Sequence, residues 1–292
     1  MNLKLKFLTA AAGLALASMG GSATAAAFSW YSPITAFEDD NLEQVIDVNG
    51  DGILNAGDRL RAVAEWPKET NVIGGGSTNL NANGTEVTGI SEIEVASVSD
   101  TGFYTFKPSA TFEAVYGAGA MVAVFLDTNV LPPNGDVDLT APTCDSTAAC
   151  EAAVTNAGDA PASTVWFTAG IAQNTADFWA SQSQTNAPTV IGSLTSIPAS
   201  SKVGVANYGL SVFTNNTGQT FGLQFNPFAN LGAGGFTQVI GSGDVLGGQG
   251  LTNGYEARSD FDFQLRLVPE PATLGLLGAA LVAFAGLRRR QA

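Results

Sequence analysis

Residues 259–268 read SDFDFQLRLV. Phe261, Phe263, Leu265 and Leu267 alternate with Asp262, Gln264 and Arg266, so an extended chain here presents one apolar and one polar face. Stretches of the same character recur upstream: TEVTGISEIEVASV, GFYTFKPS, TFEAVYG, AMVAVFLD, STVWFTAGIA, KVGVANYGLSVFT and TFGLQF. Asn-Gly, Ser-Asp, Pro-Pro-Asn-Gly and Gly-rich turns separate them. Strands at this density predict an all-β domain over residues 28–267, a single large jelly-roll-like β-sandwich. No repeat period supports a solenoid or propeller. Residues 136–163 read as a long loop with a short helix near Ala148 to Asn156, and residues 231–254 as holding one or two weak strands.

Both ends stand apart from this domain. Lys4 and Lys6 precede an apolar run from Phe7 to about Met19, followed by Ala-Thr-Ala and Ala-Ala-Ala, the three-part pattern of a secretory signal peptide over residues 1–27. At the other end, residues 272–287 carry no charge and as a helix would extend about 24 Å, slightly short of a ~30 Å hydrocarbon core. Arg288, Arg289 and Arg290 follow and predict a cytoplasmic C-terminus with the rest of the chain outside.

Composition removes several kinds of chemistry. The 292 residues include no histidine, which leaves no His-dependent nucleophile and no His-ligated metal. The formal charge is −14, and once both ends are set aside seven basic residues face twenty-five acids. Such a surface repels phosphate backbones, so nucleic acid is not an expected partner. In an exported chain, Cys144 and Cys150 in TCDSTAAC predict a local disulfide. A two-thiolate metal site would lack a further soft ligand.

Residues 47–58, DVNGDGILNAGD, carry the densest chemistry. Asp47, Asn49 and Asp51 occupy the first, third and fifth positions of a twelve-residue calcium loop, and Gly52 the sharp-turn sixth. Ile53 would offer its carbonyl at the seventh, Asn55 its side chain at the ninth and Asp58 its carboxylate at the twelfth. The loop resembles those of EF-hands, and especially of dockerins, which also end in Asp. The flanks predict a short helix before it, burying Leu42, Val45 and Ile46, and a strand after it from DRLRAVAEW. An Asn/Asp/Gly turn without metal is the competing reading.

The last residues carry a second resemblance. Val268-Pro269-Glu270-Pro271, the apolar segment and the terminal arginines resemble the PEP-CTERM sorting signal of Gram-negative bacteria, here residues 268–292. The resemblance implies recognition of Pro269, Glu270 and Pro271 by an exosortase, a transient transmembrane helix, and delivery to the cell envelope or extracellular matrix, often beside exopolysaccharide. An ordinary single-span anchor would leave the Pro-Glu-Pro without a reason.

The expectation is an exported structural or adhesive protein associated with exopolysaccharide and stabilised by Ca²⁺. It is not expected to be an enzyme, and no catalytic residue is assigned. The alternatives are a secreted carboxylate-based polysaccharide hydrolase, using pairs such as Asp260 with Asp262 or Asp136 with Asp138, and a passive surface protein without ligand. Trp30, Trp66, Trp166 and Trp179 could stack on sugar rings, but their apolar settings favour core packing.

Overall fold

The computed structural model describes residues 28, 30–80, 82, 85–127, 144–155, 164–172, 175–227, 235–252, 254–268, 275 and 278. The chain divides into two units, Met1–Trp30 and Tyr31–Ala292. In the first, the rings of Phe28 and Trp30 meet edge to face at 5.0 Å. The expected signal peptide lies outside the described residues, as does nearly all of the C-terminal sorting segment.

The second unit is all-β, as expected. Its strands are β1 (Ile34–Ile46), β2 (Arg59–Asn71), β3 (Ser77–Asn79), β4 (Glu86–Val98), β5 (Phe103–Pro108), β6 (Ala120–Asp127) and β7 (Thr164–Gly170). They are followed by β8 (Phe178–Ser183), β9 (Lys202–Asn215), β10 (Thr220–Gly222), β11 (Gln224–Phe225), β12 (Phe236–Thr237), β13 (Val239–Gly247) and β14 (Ala257–Val268). Twelve of these share one sheet, and β11 with β12 forms a separate pair.

The pairings of the large sheet run in a circuit. In order, β2, β1, β14, β13 and β9 are antiparallel neighbours, and β2 also pairs with β4. Between β9 and β4 the wall is built in two halves. One end uses β7 and β6, the other β8 and β5. Two facing walls therefore share one interior, as in a sandwich whose edges are joined, and the long strands keep no free ladder edge there.

The final strand follows its alternation: Phe261, Phe263, Leu265 and Leu267 are buried, while Asp260 and Arg266 are exposed. Around it the interior is aromatic. Phe263 stacks on Phe37 at 4.7 Å and meets Trp66 edge-on at 5.1 Å, and Trp179 stacks on Tyr208 at 4.6 Å. Trp66, Trp166 and Trp179 are all buried, in keeping with core packing.

A second apolar layer covers the outside of β2, β4 and β6. Helix α1 (Ala110–Tyr116) and helix α2 (Thr147–Thr155) bring Phe112, Cys144, Cys150 and Val154 against Leu42, Val63, Ile90 and Phe125. The expected disulfide joins Cys144 to Cys150 with Cα atoms 4.6 Å apart. Beneath this cover Glu92, fully buried, pairs with Arg61 at 2.8 Å and Arg59 at 3.0 Å and accepts hydrogen bonds from Ser109, Thr111 and Thr147. Arg61 also donates to the carbonyl of Cys144 at 3.0 Å, tying the disulfide loop to the sheet. Burial alone would raise the Glu92 pKa, but the Ser109, Thr111 and Arg61 hydrogen bonds outweigh it and hold it down at about 2.

Three local expectations are corrected. TFEAVYG forms α1, not a strand: Phe112 and Tyr116, one helical turn apart, face inward with rings 4.6 Å apart, while Ala114 and Val115 are exposed. The residues before the calcium-like loop form β1, not a helix. Leu42 faces the outer layer and Asn41, Glu43 and Val45 the interior, so a strand buried on both sides mimics helical spacing. The Gly-rich 231–254 region supplies β13, a central nine-residue strand. Its Gly241 is needed because the Tyr208 ring lies across it: a Cβ there would sit 1.9 Å from the ring.

Candidate functional site

Residues 47–58 join β1 to β2 as a long hairpin connection, so the site is strand-loop-strand. Its side chains do what short polar groups do in tight turns and satisfy backbone N–H groups. Asp47 accepts from Gly50 at 2.7 Å and Gly52 at 2.8 Å; Asn49 accepts from Asp51 at 2.9 Å, and Asp51 from Ile53 at 2.8 Å. Gly50 and Gly52 have φ of 74° and 78°, which the turn requires and glycine supplies without strain.

Asp58 closes the loop. It is buried, and its two carboxylate oxygens accept from Val48 at 2.9 Å and Asn55 at 2.8 Å. Its carbonyl accepts from Val95, and Gly57 donates to the Val95 carbonyl, so the loop is docked on β4. On the other side Ile53 bridges Val190 beside the 3-10 helix Ile191–Ser196. Leu54 donates to Thr189 and Ile191 to Gly52 across that bridge.

The side chains of Asn49, Asp51 and Asn55 converge. Asp51 Oδ2 accepts from Asn49 Nδ2 at 3.1 Å and Asn55 Nδ2 at 2.7 Å, and Asn55 Oδ1 accepts from Asn49 Nδ2 at 3.1 Å. Asp47 and Asp58 face the loop backbone. Among the described residues no cluster of three or more His, Cys, Asp or Glu is arranged to hold a metal. The donor set nevertheless suits a hard cation, since every side-chain ligand position is a carboxylate or an amide. To present oxygen, the Asn49 and Asn55 amides must turn their nitrogens away from Asp51.

Other carboxylates meet across neighbouring strands, as Glu86 stands opposite Asp127. Asp260 and Asp262 lie on the outer side of β14, and Asp244, opposite Asp260, pairs with Lys202 at 2.5 Å. Asp136 and Asp138 lie outside the described residues. Sequence reasoning overlooked Glu43 and Glu69. Burial raises both to about 7, offset in part by Ser259 beside Glu43 and by Tyr31 and Thr35 beside Glu69. Glu69 stands opposite Phe37, six residues from Glu43 along β1 and hence about 20 Å away, so the two do not form a pair. Their only signal in the sequence was a glutamate falling on the same strand face as apolar neighbours.

The last strand ends at Val268, where the sorting segment begins. Residues 267–290 match the PEP-CTERM protein-sorting motif. The matched segment includes the last two residues of β14 and supports an exported protein directed to exosortase and the cell surface. No curated protein matches the chain. Pro269, Glu270, Pro271 and Arg288 to Arg290 lie outside the described residues; beyond β14 only Gly275 and Gly278 are described, and both are helical. The expected transmembrane helix falls there too, and among the described residues no helix is long and apolar enough to cross a membrane.

Proposed function

We propose that this protein is a structural or adhesive component of the cell envelope or extracellular matrix, processed by exosortase and associated there with exopolysaccharide. The observation that carries the reading is the sorting motif continuing directly from β14, which gives an all-β body an export address at its end. The acidic body then engages its polysaccharide through bridging Ca²⁺, with a further Ca²⁺ ordering the hairpin loop. Asp47, Asn49, Asp51, Asn55 and Asp58, with the Ile53 carbonyl, are the residues that would hold that ion. Their identities and order support this reading, as does the convergence of Asn49, Asp51 and Asn55.

Residues 28–267, incubated with the host's exopolysaccharide in millimolar calcium and again with a chelator, test the proposal. Retention that disappears with the chelator and weakens in Asp51→Ala is expected. Absence of retention in both conditions refutes the adhesive role. Shortening of the polysaccharide would instead reveal a hydrolase.

A further inference from the structure

The inner faces of the closed sheet do not meet completely. Between them lies a cavity of about 100 Å³ lined by side chains from both walls, among them Trp66, Phe106, Trp179, Tyr208 and Phe261. This is about two thirds of the volume of an apolar cavity, about 150 Å³, that stays dry and accepts benzene. Leu54 of the hairpin loop and Leu194 of the 3-10 helix also belong to the lining, so the calcium-like loop borders the space.

One part of the lining is polar. Asn41 and Glu43, two residues apart on β1, both face inward, and Ser259 stands directly opposite Asn41 on β14. Asn41 is 6% exposed, yet its Oδ1 accepts no hydrogen bond from any described residue. A buried acceptor left without a donor costs about 1–3 kcal/mol, which a small apolar core has no reason to retain. Next to it the Glu43 carboxyl is buried beside the Ser259 hydroxyl. An unfilled acceptor at the edge of an aromatic cavity is the complement of a molecule with one hydroxyl donor on an apolar body.

We infer that the interior of the sheet is a binding site for a small uncharged aromatic or alkyl molecule bearing a hydroxyl group, which donates to Asn41 Oδ1 while its apolar part fills the space between Trp66 and Trp179. Trp66, Trp179 and Tyr208 supply ring faces and edges for that part. Glu43 and Ser259 supply the other side of the hydroxyl's hydrogen bonding. An anion meets the Glu43 carboxyl with no basic side chain in the lining, and a cation gives up its hydration for that one carboxyl in an otherwise apolar enclosure, so an uncharged molecule fits best.

Fluorine NMR on the full chain held in amphipol tests this, with para-fluorophenol as probe and fluorobenzene as the analogue lacking the hydroxyl. A saturable bound signal for para-fluorophenol, displaced by phenol, is expected. Filling the cavity by Ala64→Phe, or by Ala206→Met if the first variant does not fold, should abolish it. Asn41→Leu should weaken para-fluorophenol by about fivefold, the size of one lost hydrogen bond, and leave fluorobenzene unchanged. No saturable signal in the unaltered protein overturns the inference. So does a signal that persists in a folded, cavity-filled variant, or an interior in which only water is detected.

Discussion

Replacing Glu92 by Gln should be among the most damaging single-atom changes available to this fold. Glu92 is fully buried, accepts from Arg61 and Arg59 at 2.8 and 3.0 Å, and takes hydroxyl hydrogen bonds from Ser109 and Thr111. Gln removes the charge while Arg61, 5% exposed, stays buried with its own. Breaking a buried pair from one side costs about 3–5 kcal/mol. The pKa provides a second route to the magnitude. A carboxyl held at about 2 instead of 4.5 contributes about 3 kcal/mol of stability. Because the folded value is the lower one, that contribution is complete above pH 4.5 and is lost as pH falls through 2. Urea unfolding at pH 7 should show the midpoint of Glu92→Gln lowered by about 1–2 M at unchanged slope. The double variant Glu92→Leu with Arg61→Met removes both charges and should recover most of the loss. A cost below about 1 kcal/mol in the single variant, or a double variant no more stable than the single, refutes the reasoning.

Three further outcomes are expected. Glu43 has the opposite linkage: its folded pKa, about 7, lies above the ordinary value, so its stabilising neutral form is complete below pH 4.5 and lost as pH rises through 7. Glu43→Gln should therefore flatten the stability–pH profile between 4.5 and 7 and stabilise the protein by up to about 3 kcal/mol at pH 8, measured by thermal unfolding. Removing the Cys144–Cys150 bridge by paired Cys→Ser changes should cost about 2 kcal/mol, since the loop it closes is short; calorimetry under oxidising and reducing conditions separates this from packing loss. Gly241→Val should destabilise by several times the cost of a surface substitution, because the Tyr208 ring must leave its place; a diminished near-ultraviolet circular dichroism signal reports that displacement.

What the sequence revealed depended on how many faces of each strand are buried. β14 was legible because one side meets the interior and the other meets solvent, leaving strict alternation. β1 was not, since Leu42 is buried in the outer cluster while Val45 is buried toward the interior. β13 was masked by glycines that serve close ring and backbone approaches, which composition alone reads as weakness. At the loop, the oxygen-bearing residues and their spacing were visible, but the docking of Gly57 and Leu54 on distant segments depends on tertiary contacts. Asn41 and Glu43 were invisible as a polar patch because their meaning comes from the closure of the sheet around them.

The pairing of the first long strand with the last also imposes an order of events on export. β1 and β14 meet along Ile34 to Arg266 at one end and Glu43 to Ala257 at the other, so the seam joins residues separated by roughly two hundred positions. A chain delivered amino-terminus first would have to hold β1 with one ladder edge open until almost all of its length had crossed, and this long-range closure would come late. The segment that completes the seam is followed at once by the sorting motif. A cut within β14 would remove part of the seam itself. On the proposed sorting route, the body is complete only once β14 has paired with β1, immediately ahead of the address.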